Sequence, residues 1–406
     1  MRVSFLAARS VPNDCGTWVA VRSMIKALIS HGELGYTFEV NDSQADLLEI
    51  FPASERAQYM RSLREAMPWT TWFDGTHPRF RLLDSIRDWT YRRLCGGRSL
   101  YRFQFGRAVQ RIGADVCHYP FQDLPFFPRQ RGLIYTQVAH DFRQEYLPEL
   151  ETRESLGRLR ADYQGYRGAS ALCVLGETCK QDAIRFAGLG PERVFVTPYG
   201  PWEVPPPASA QVQDRLRKRF KLPNEFLFYP APTRVHKNHV RLIRALAVLK
   251  KKGCRIPLVT TGKEQPYFDL LWNTIGELGI RDDVIFTDYL DLPTLYALYD
   301  MATGVVLPTL FEGATGIPLL EALSKGKPIA AARVCEIPNA LGESGLLFDP
   351  YSEAEIAAAV QRLWESPPLR AELSSKARQT NRGRSWEQFA KATEAAFLYA
   401  HDHPAT

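Results

Sequence analysis

No run of about 18 apolar residues occurs anywhere in the chain, so no segment reads as a membrane-crossing helix. There is no CxxC pair either. The seven cysteines, at 15, 95, 117, 173, 179, 254 and 335, are odd in number, scattered and mostly set among apolar residues. That pattern argues against a disulfide framework and is expected of reduced thiols in the cytoplasm. A cleavage-like sequence is missing from MRVSFLAARSV, where a short apolar run precedes the polar PNDCG, so the stretch predicts a first strand and not a signal peptide. Lysine is absent from 61–111. In its place stand eleven arginines against four acids, Glu65, Asp74, Asp84 and Asp88, a local charge of +7.

What is present belongs to a globular protein: 406 residues, 45% hydrophobic and 24% charged, long enough for two domains. The 61–111 stretch also carries nine aromatics, Trp69, Trp72, Phe73, Phe80, Trp89, Tyr91, Tyr101, Phe103 and Phe105. Arginine beside tryptophan suits an anionic membrane surface or an anionic acceptor, and equally an inserted helical subdomain with aromatics inside and arginines solvated. No nucleic-acid-binding motif accompanies the charge, so nucleic acid is not an expected partner.

Short apolar runs alternate with helical patterns. VSFLAA (3–8), DVCHYP (115–120), GLIYTQVAH (132–140), SALCVLG (170–176) and RVFVTPYG (193–200) read as strands, and TWVAVRSMIKALISHG (17–32) as a helix. TPYGPWEVPPP (197–207) then interrupts with a stiff, proline-rich connector. Beyond it FLFYPA (226–231), PLVTTG (257–262), DVIFTDY (283–289), GVVLPT (304–309), PIAAA (328–332) and GLLFDP (345–350) resume the strand pattern, with helices between. The alternation predicts two α/β domains built of parallel βαβ units, facing a central cleft. The expected boundaries are 1–200, 201–384 and a C-terminal helix at 385–406 returning to the first domain.

FEGATGIPLLEAL (311–323) holds Glu312 and Glu321 on either side of a glycine-rich turn that opens a helix at Ile317-Pro318. Gly313 and Gly316 let backbone approach a ligand, and the helix N-terminus favours a phosphate there. Glu321, one turn in, is placed to accept from sugar hydroxyls, although the same residues also make an ordinary tight turn with an acid complementing a helix. Lys237 closes the loop after FLFYPA, where an ammonium can meet a phosphate. His236 and His239 have i, i+3 spacing without an evident third metal ligand and read as loop and helix-cap residues. His140 follows a strand of the first domain, and Gly16 opens its first helix.

In order and spacing, YPAPTRVHKNHVRLIRAL, LVTTGKE, DVIFTDYLDLPTLYALYDMATGVVLPTLFEG, GIPLLEAL, GKPIAAARVCEIPNALGESGLLFDP and RSWEQFA, with CGTWVAV and VAHDF earlier, resemble the retaining, nucleotide-sugar-dependent glycosyltransferases of the group-1, mannosyltransferase-like family with the GT-B fold. The resemblance implies that Glu321 holds the nucleotide ribose and Glu312 faces the donor sugar. Gly313, Thr315, Gly316 and Ile317 then meet sugar and phosphate, and Lys237 binds the pyrophosphate. His140 would lie near the reacting face of the sugar, and Gly16 in the loop that admits the diphosphate. Two departures stand out. The family's usual arginine five residues before the lysine is Pro232 here, with Arg234 two residues later counted among the donor-binding groups. The turn between the glutamates is also one residue longer, with Ala314-Thr315 where relatives have a single residue.

The implied reaction moves a hexose from GDP-mannose or a UDP-sugar to a hydroxyl of a saccharide or lipid-linked acceptor in surface polysaccharide synthesis, at the inner face of the cell membrane. No DxD triplet occurs in the chain, which fits neutralisation of the leaving diphosphate by protein groups, so neither metal nor cofactor is expected. A UDP-sugar epimerase of the same architecture and a non-catalytic nucleotide-sugar-binding subunit are the alternatives.

Overall fold

In the computed structural model, residues 1–6, 16–40, 60–62, 93, 106–107, 109–122, 124, 133–263, 267–313 and 315–405 are described. Most of 61–111 and Ala314 therefore lie outside the described residues. The chain forms two compact units, Met1–Pro198 with Trp386–Thr406, and Tyr199–Ser385.

The first unit is built on a parallel sheet of β1 (Arg2–Leu6), β2 (Gly35–Val40), β3 (Met60–Ser62), β4 (Val116–Tyr119), β5 (Tyr135–Ala139), β6 (Ala171–Val174) and β7 (Val194–Val196), in the order β3-β2-β1-β4-β5-β6-β7. The second carries β8 (Leu227–Pro230), β9 (Leu258–Thr261), β10 (Val284–Phe286), β11 (Gly304–Leu307), β12 (Ile329–Ala332) and β13 (Gly345–Phe348), in the order β10-β9-β8-β11-β12-β13, again all parallel. Strands such as ALCV, LFYP, LVTT and GVVL are buried at every position, as a sheet covered on both faces requires, and this explains their unbroken apolar runs. Each sheet reverses its order once, between β1 and β4 and between β8 and β11. Loops part at such a point and leave room for a ligand at the carboxyl ends of the strands.

Strand β2, GYTFEV, was not among the expected strands, although its alternating apolar and polar residues fit a half-buried strand. Arg61 and Ser62, the first residues of the arginine-rich stretch, belong to edge strand β3, paired with Glu39 and Val40.

Helix Trp386–Asp402 packs on the first sheet and on helix Gly16–His31. His118 of β4 lies between the rings of Phe5 and Phe397, at 4.9 and 5.1 Å. Burial pushes this imidazole down to about 3, so it is neutral there, with Nδ1 bonded to the Thr136 hydroxyl at 2.8 Å. Buried Glu394 receives the backbone N–H groups of Glu33 (2.7 Å) and Leu34 (2.9 Å) and the Tyr36 hydroxyl through one carboxylate oxygen. A side chain at Gly32 would stand 2.8 Å from that oxygen, so the helix has to end on glycine.

Candidate functional site

The loops at the β8/β11 reversal are knitted together through backbone. After β8 the chain makes a single turn, Val235–Lys237, and Asn238 then takes a left-handed φ of 59° before helix His239–Lys251 begins. The Asn238 side-chain amide donates to the carbonyls of Pro308 and Pro350, both at 2.8 Å. Tyr229 donates to the Lys237 carbonyl at 2.6 Å. From the β11 side, the Leu310 N–H donates to the His236 carbonyl at 2.7 Å, and the Thr309 hydroxyl lies between that carbonyl (3.1 Å) and the nearer carbonyl of Phe311 (2.7 Å). The Lys237 backbone is thus held from two strands. Its ammonium forms a hydrogen-bonded ion pair with Glu312 Oε1, the two side chains being 13% and 15% exposed.

Glu312 belongs to the turn that starts helix Ile317–Ser324. Gly316 caps that helix with φ 76°, a conformation costly for any residue with a Cβ. A Cβ at Gly316 would also meet Glu312 Oε2 at 3.2 Å. One oxygen of Glu312 therefore faces Lys237 and the other lies against the helix N-terminus, so a carboxylate occupies the electropositive corner where an anion is favoured. The sequence implied separate partners for Glu312 and Lys237, sugar and pyrophosphate; in the structure the two side chains pair with each other. Gly313 accepts the Gly316 N–H at 3.3 Å, and Thr315 is buried.

Glu321 sits one turn into the same helix and is 5% exposed. Its Oε2 accepts from the Tyr299 hydroxyl at 2.8 Å and its Oε1 from the Tyr296 hydroxyl at 3.2 Å. Burial raises the carboxyl to about 7, with the two hydroxyl donors pulling the other way. Both tyrosines come from helix Leu292–Met301, which is capped by Asp291 accepting the Thr294 N–H at 3.0 Å. Sequence reasoning missed them, although their i, i+3 spacing in LYALY places both on one helix face.

The remaining candidates separate. Arg234 is exposed, with its N–H turned to the Pro232 carbonyl at 2.7 Å. Among the described residues its guanidinium makes no ion pair. His239 is buried with its ring tilted against that of Tyr229, the centroids 4.6 Å apart. Burial first, then the charge of Lys237, push it down to about 3 against a weak pull from the Ala231 backbone, with which it makes no hydrogen bond of normal geometry. Among the described residues no group of three histidines, cysteines or acids could hold a metal ion. In the first unit His140 directly follows β5, and its Nε2 donates to the Pro120 carbonyl at 3.0 Å. A carbonyl only accepts, so this bond places a proton on Nε2. Gly16 is the first residue of helix Gly16–His31, and the loop before it lies outside the described residues.

Residues 212–380, within the second unit, match the family described as glycosyl transferases group 1. The second unit belongs to the group 1 glycosyl transferase family. Among curated relatives of this chain, the serotype-specific mannosyltransferase WbdA of Escherichia coli is 26% identical over 259 residues, 61% of this chain and 31% of its own. The alpha-D-kanosaminyltransferase of Streptomyces kanamyceticus is 27% identical over 230 residues, 53% of this chain and 57% of its own. The chain therefore spans about a third of the first and little more than half of the second. The O-antigen chain mannosyltransferase B of Escherichia coli is 24% identical over 304 residues, 73% of this chain and 78% of its own. Two solved structures each superpose with a TM-score of 0.68 at 17% identity over 98% of this chain: a sucrose-phosphate synthase from Thermosynechococcus elongatus, covered over 98%, and Anabaena HepE in complex with UDP and glucose, covered over 99%. These likenesses show the fold, GT-B, with its two doubly wound α/β units. Among the described residues no helix is long and apolar enough to cross a membrane.

Proposed function

We propose that this chain is a glycosyltransferase that moves a hexose, with retention at the anomeric carbon, from a nucleoside diphosphate sugar to a hydroxyl of a saccharide or lipid-linked acceptor. The observation that carries the reading is the grouping at one sheet reversal of a cation (Lys237), a helix N-terminus (Gly316) and a buried carboxylate (Glu321). Phosphate, phosphate and ribose hydroxyls are the partners these groups suit. In the proposed reaction the bond from the anomeric carbon to the diphosphate breaks, the acceptor oxygen bonds to that carbon, and the acceptor proton passes to a diphosphate oxygen. Lys237 and the helix N-terminus stabilise the charge that develops on the leaving group.

The first unit takes the acceptor in this reading, with His140 near the sugar. GDP-mannose is favoured by the mannosyltransferases among the relatives, and a UDP-sugar by the UDP bound in the HepE structure. The cytoplasm is the proposed compartment, from the scattered cysteines. Residues 61–111 are assigned contact with an anionic bilayer or lipid-linked acceptor on their charge and aromatics alone. If neutralising several of those arginines left liposome binding unchanged, the membrane part of the reading would fall.

The test is calorimetry with UDP, GDP, TDP and their sugars. One nucleotide class is expected to bind the parent chain, and Glu321→Ala to weaken it by roughly 10- to 100-fold, the size of lost hydrogen bonds to a buried charged group. No binding of any nucleotide would sink the reading. Free UDP appearing with an epimerised sugar and no acceptor would replace transferase by epimerase.

A further inference from the structure

The Glu321 carboxylate does not stand alone. Behind Tyr296 lies Trp202, buried at 3% exposure, whose indole N–H donates to the Tyr296 hydroxyl at 3.2 Å. A phenol has one proton. Because Tyr296 accepts from an indole that can only donate, that proton is free to go to Glu321, and the hydrogen bonds run one way, from Trp202 to Tyr296 to Oε1; the Tyr299 hydroxyl has two acceptors in range, Oε2 at 2.8 Å and the Pro318 carbonyl at 3.2 Å, and its one proton goes to the nearer, Oε2. In its ionised form, which prevails above about pH 7, the carboxylate has about four lone-pair sites. The tyrosines take two and leave one on each oxygen, which is the demand of a vicinal diol.

Trp202 belongs to the proline-rich segment at the start of the second unit, and that segment is tied down at two further points. Buried Lys325 donates to the Pro205 carbonyl at 2.9 Å, pairs with Asp300 at 2.9 Å and lies 5.7 Å over the Tyr296 ring. Ala208 N–H donates to the other Asp300 oxygen at 2.9 Å. Residues 202–208 are thus bound to the two helices that carry Glu321 and its tyrosines. Other charged groups on the packed elements are committed elsewhere. Lys327 donates to the Asp300 carbonyl at 3.2 Å, and Arg378 of helix Pro367–Arg382 covers Gly326.

We propose that Trp202, Tyr296 and Tyr299 are positioning residues for Glu321, a directed set of hydrogen bonds that aims the free lone pairs of the carboxylate at the ribose hydroxyls of the donor. The ribose rests on the function proposed above; the orientation and ionisation of Glu321 do not, and can be read without a ligand.

Tyr296→Phe and Tyr299→Phe keep the rings and remove one donor each. Each is expected to weaken the nucleotide that the parent binds, UDP or GDP, roughly tenfold, raising KM for the sugar nucleotide with kcat within about twofold of the parent. Trp202→Phe is expected to act in the same direction and to add nothing to Tyr296→Phe, since both work through one hydroxyl. The ligand-free readout is melting temperature against pH. A carboxyl raised to about 7 from its ordinary 4.5 contributes stability that is complete below 4.5 and lost as pH rises through about 7. Removing a donor raises it further, so the loss extends to higher pH and the gap between parent and Phe variant widens as pH passes above about 7.

Phe variants that bind nucleotide like the parent would overturn the proposal, and fully additive losses for Trp202 and Tyr296 would remove Trp202 from it. Should the parent bind no nucleotide, the functional reading fails and the melting curves decide alone: a widening gap keeps the positioning role, and a gap independent of pH ends it.

Discussion

Lys237→Ala is expected to lower the rate of sugar transfer by about 10²- to 10³-fold, the usual effect of removing one group aimed at developing negative charge, while weakening nucleoside diphosphate binding far less. The ground-state diphosphate keeps the helix N-terminus at Gly316, and Lys237 does not bind it for nothing, because its ammonium must first give up Glu312. In the transition state the leaving group carries more charge, and the lysine's attraction is then realised in full. The pairing gives Glu312 an expected effect of opposite sign on binding. Glu312→Gln removes an anion from the corner the diphosphate would enter, so the nucleotide is expected to bind at least as tightly as to the parent, with transfer still slowed. Single-turnover rates with matched calorimetry separate these terms. Equal losses of rate and affinity in Lys237→Ala would show that the lysine serves binding alone.

Gly262→Ala is expected to be the most damaging single methyl in the second unit. Gly262 directly follows β9 with φ 128°, a region closed to residues with a Cβ. A Cβ there would stand 2.6 Å from Pro232 N and 2.7 Å from Ala231 C, backbone atoms that cannot swing aside. Those atoms begin the loop that leads to Lys237, so relief of the clash moves the site as well as costing stability. Strain and clash together are expected to cost about 3 kcal/mol or more, lowering the melting temperature of a unit of this size by roughly 6–12 °C. Gly279→Ala is the control. Its φ is 65° and nothing lies within 4 Å of an added Cβ, so backbone strain of about 1 kcal/mol is all it meets. Calorimetric melting curves giving the two variants the same small loss would remove the close approach of Gly262 from the account.

Much of the architecture was already in the sequence. Runs such as LVTT and GVVL are too short and too apolar for anything but strands buried on both faces, and their alternation with helices leaves a doubly wound sheet as the natural outcome. Where FEGATGIPLLEAL turns from loop to helix was legible for the same reason: Gly316 and Pro318 act on their own backbone, within a few residues. GYTFEV carries the apolar–polar alternation of a half-buried strand, yet it was not among the expected strands; in the structure it pairs with β1.

The partners of the polar groups were not legible at all. Lys237 and Glu312 are 75 residues apart in sequence, and Trp202 is 94 from Tyr296. Glu321 is 22 and 25 residues from the tyrosines that donate to it. Local patterns set backbone conformation because those forces act between near neighbours. Which carboxylate meets which hydroxyl depends on strand order and on where each crossover returns, and neither is encoded in a local window. From its sequence alone this protein was two doubly wound units with two glutamates around a turn. Its tertiary structure decided that one glutamate answers a lysine and the other two tyrosines.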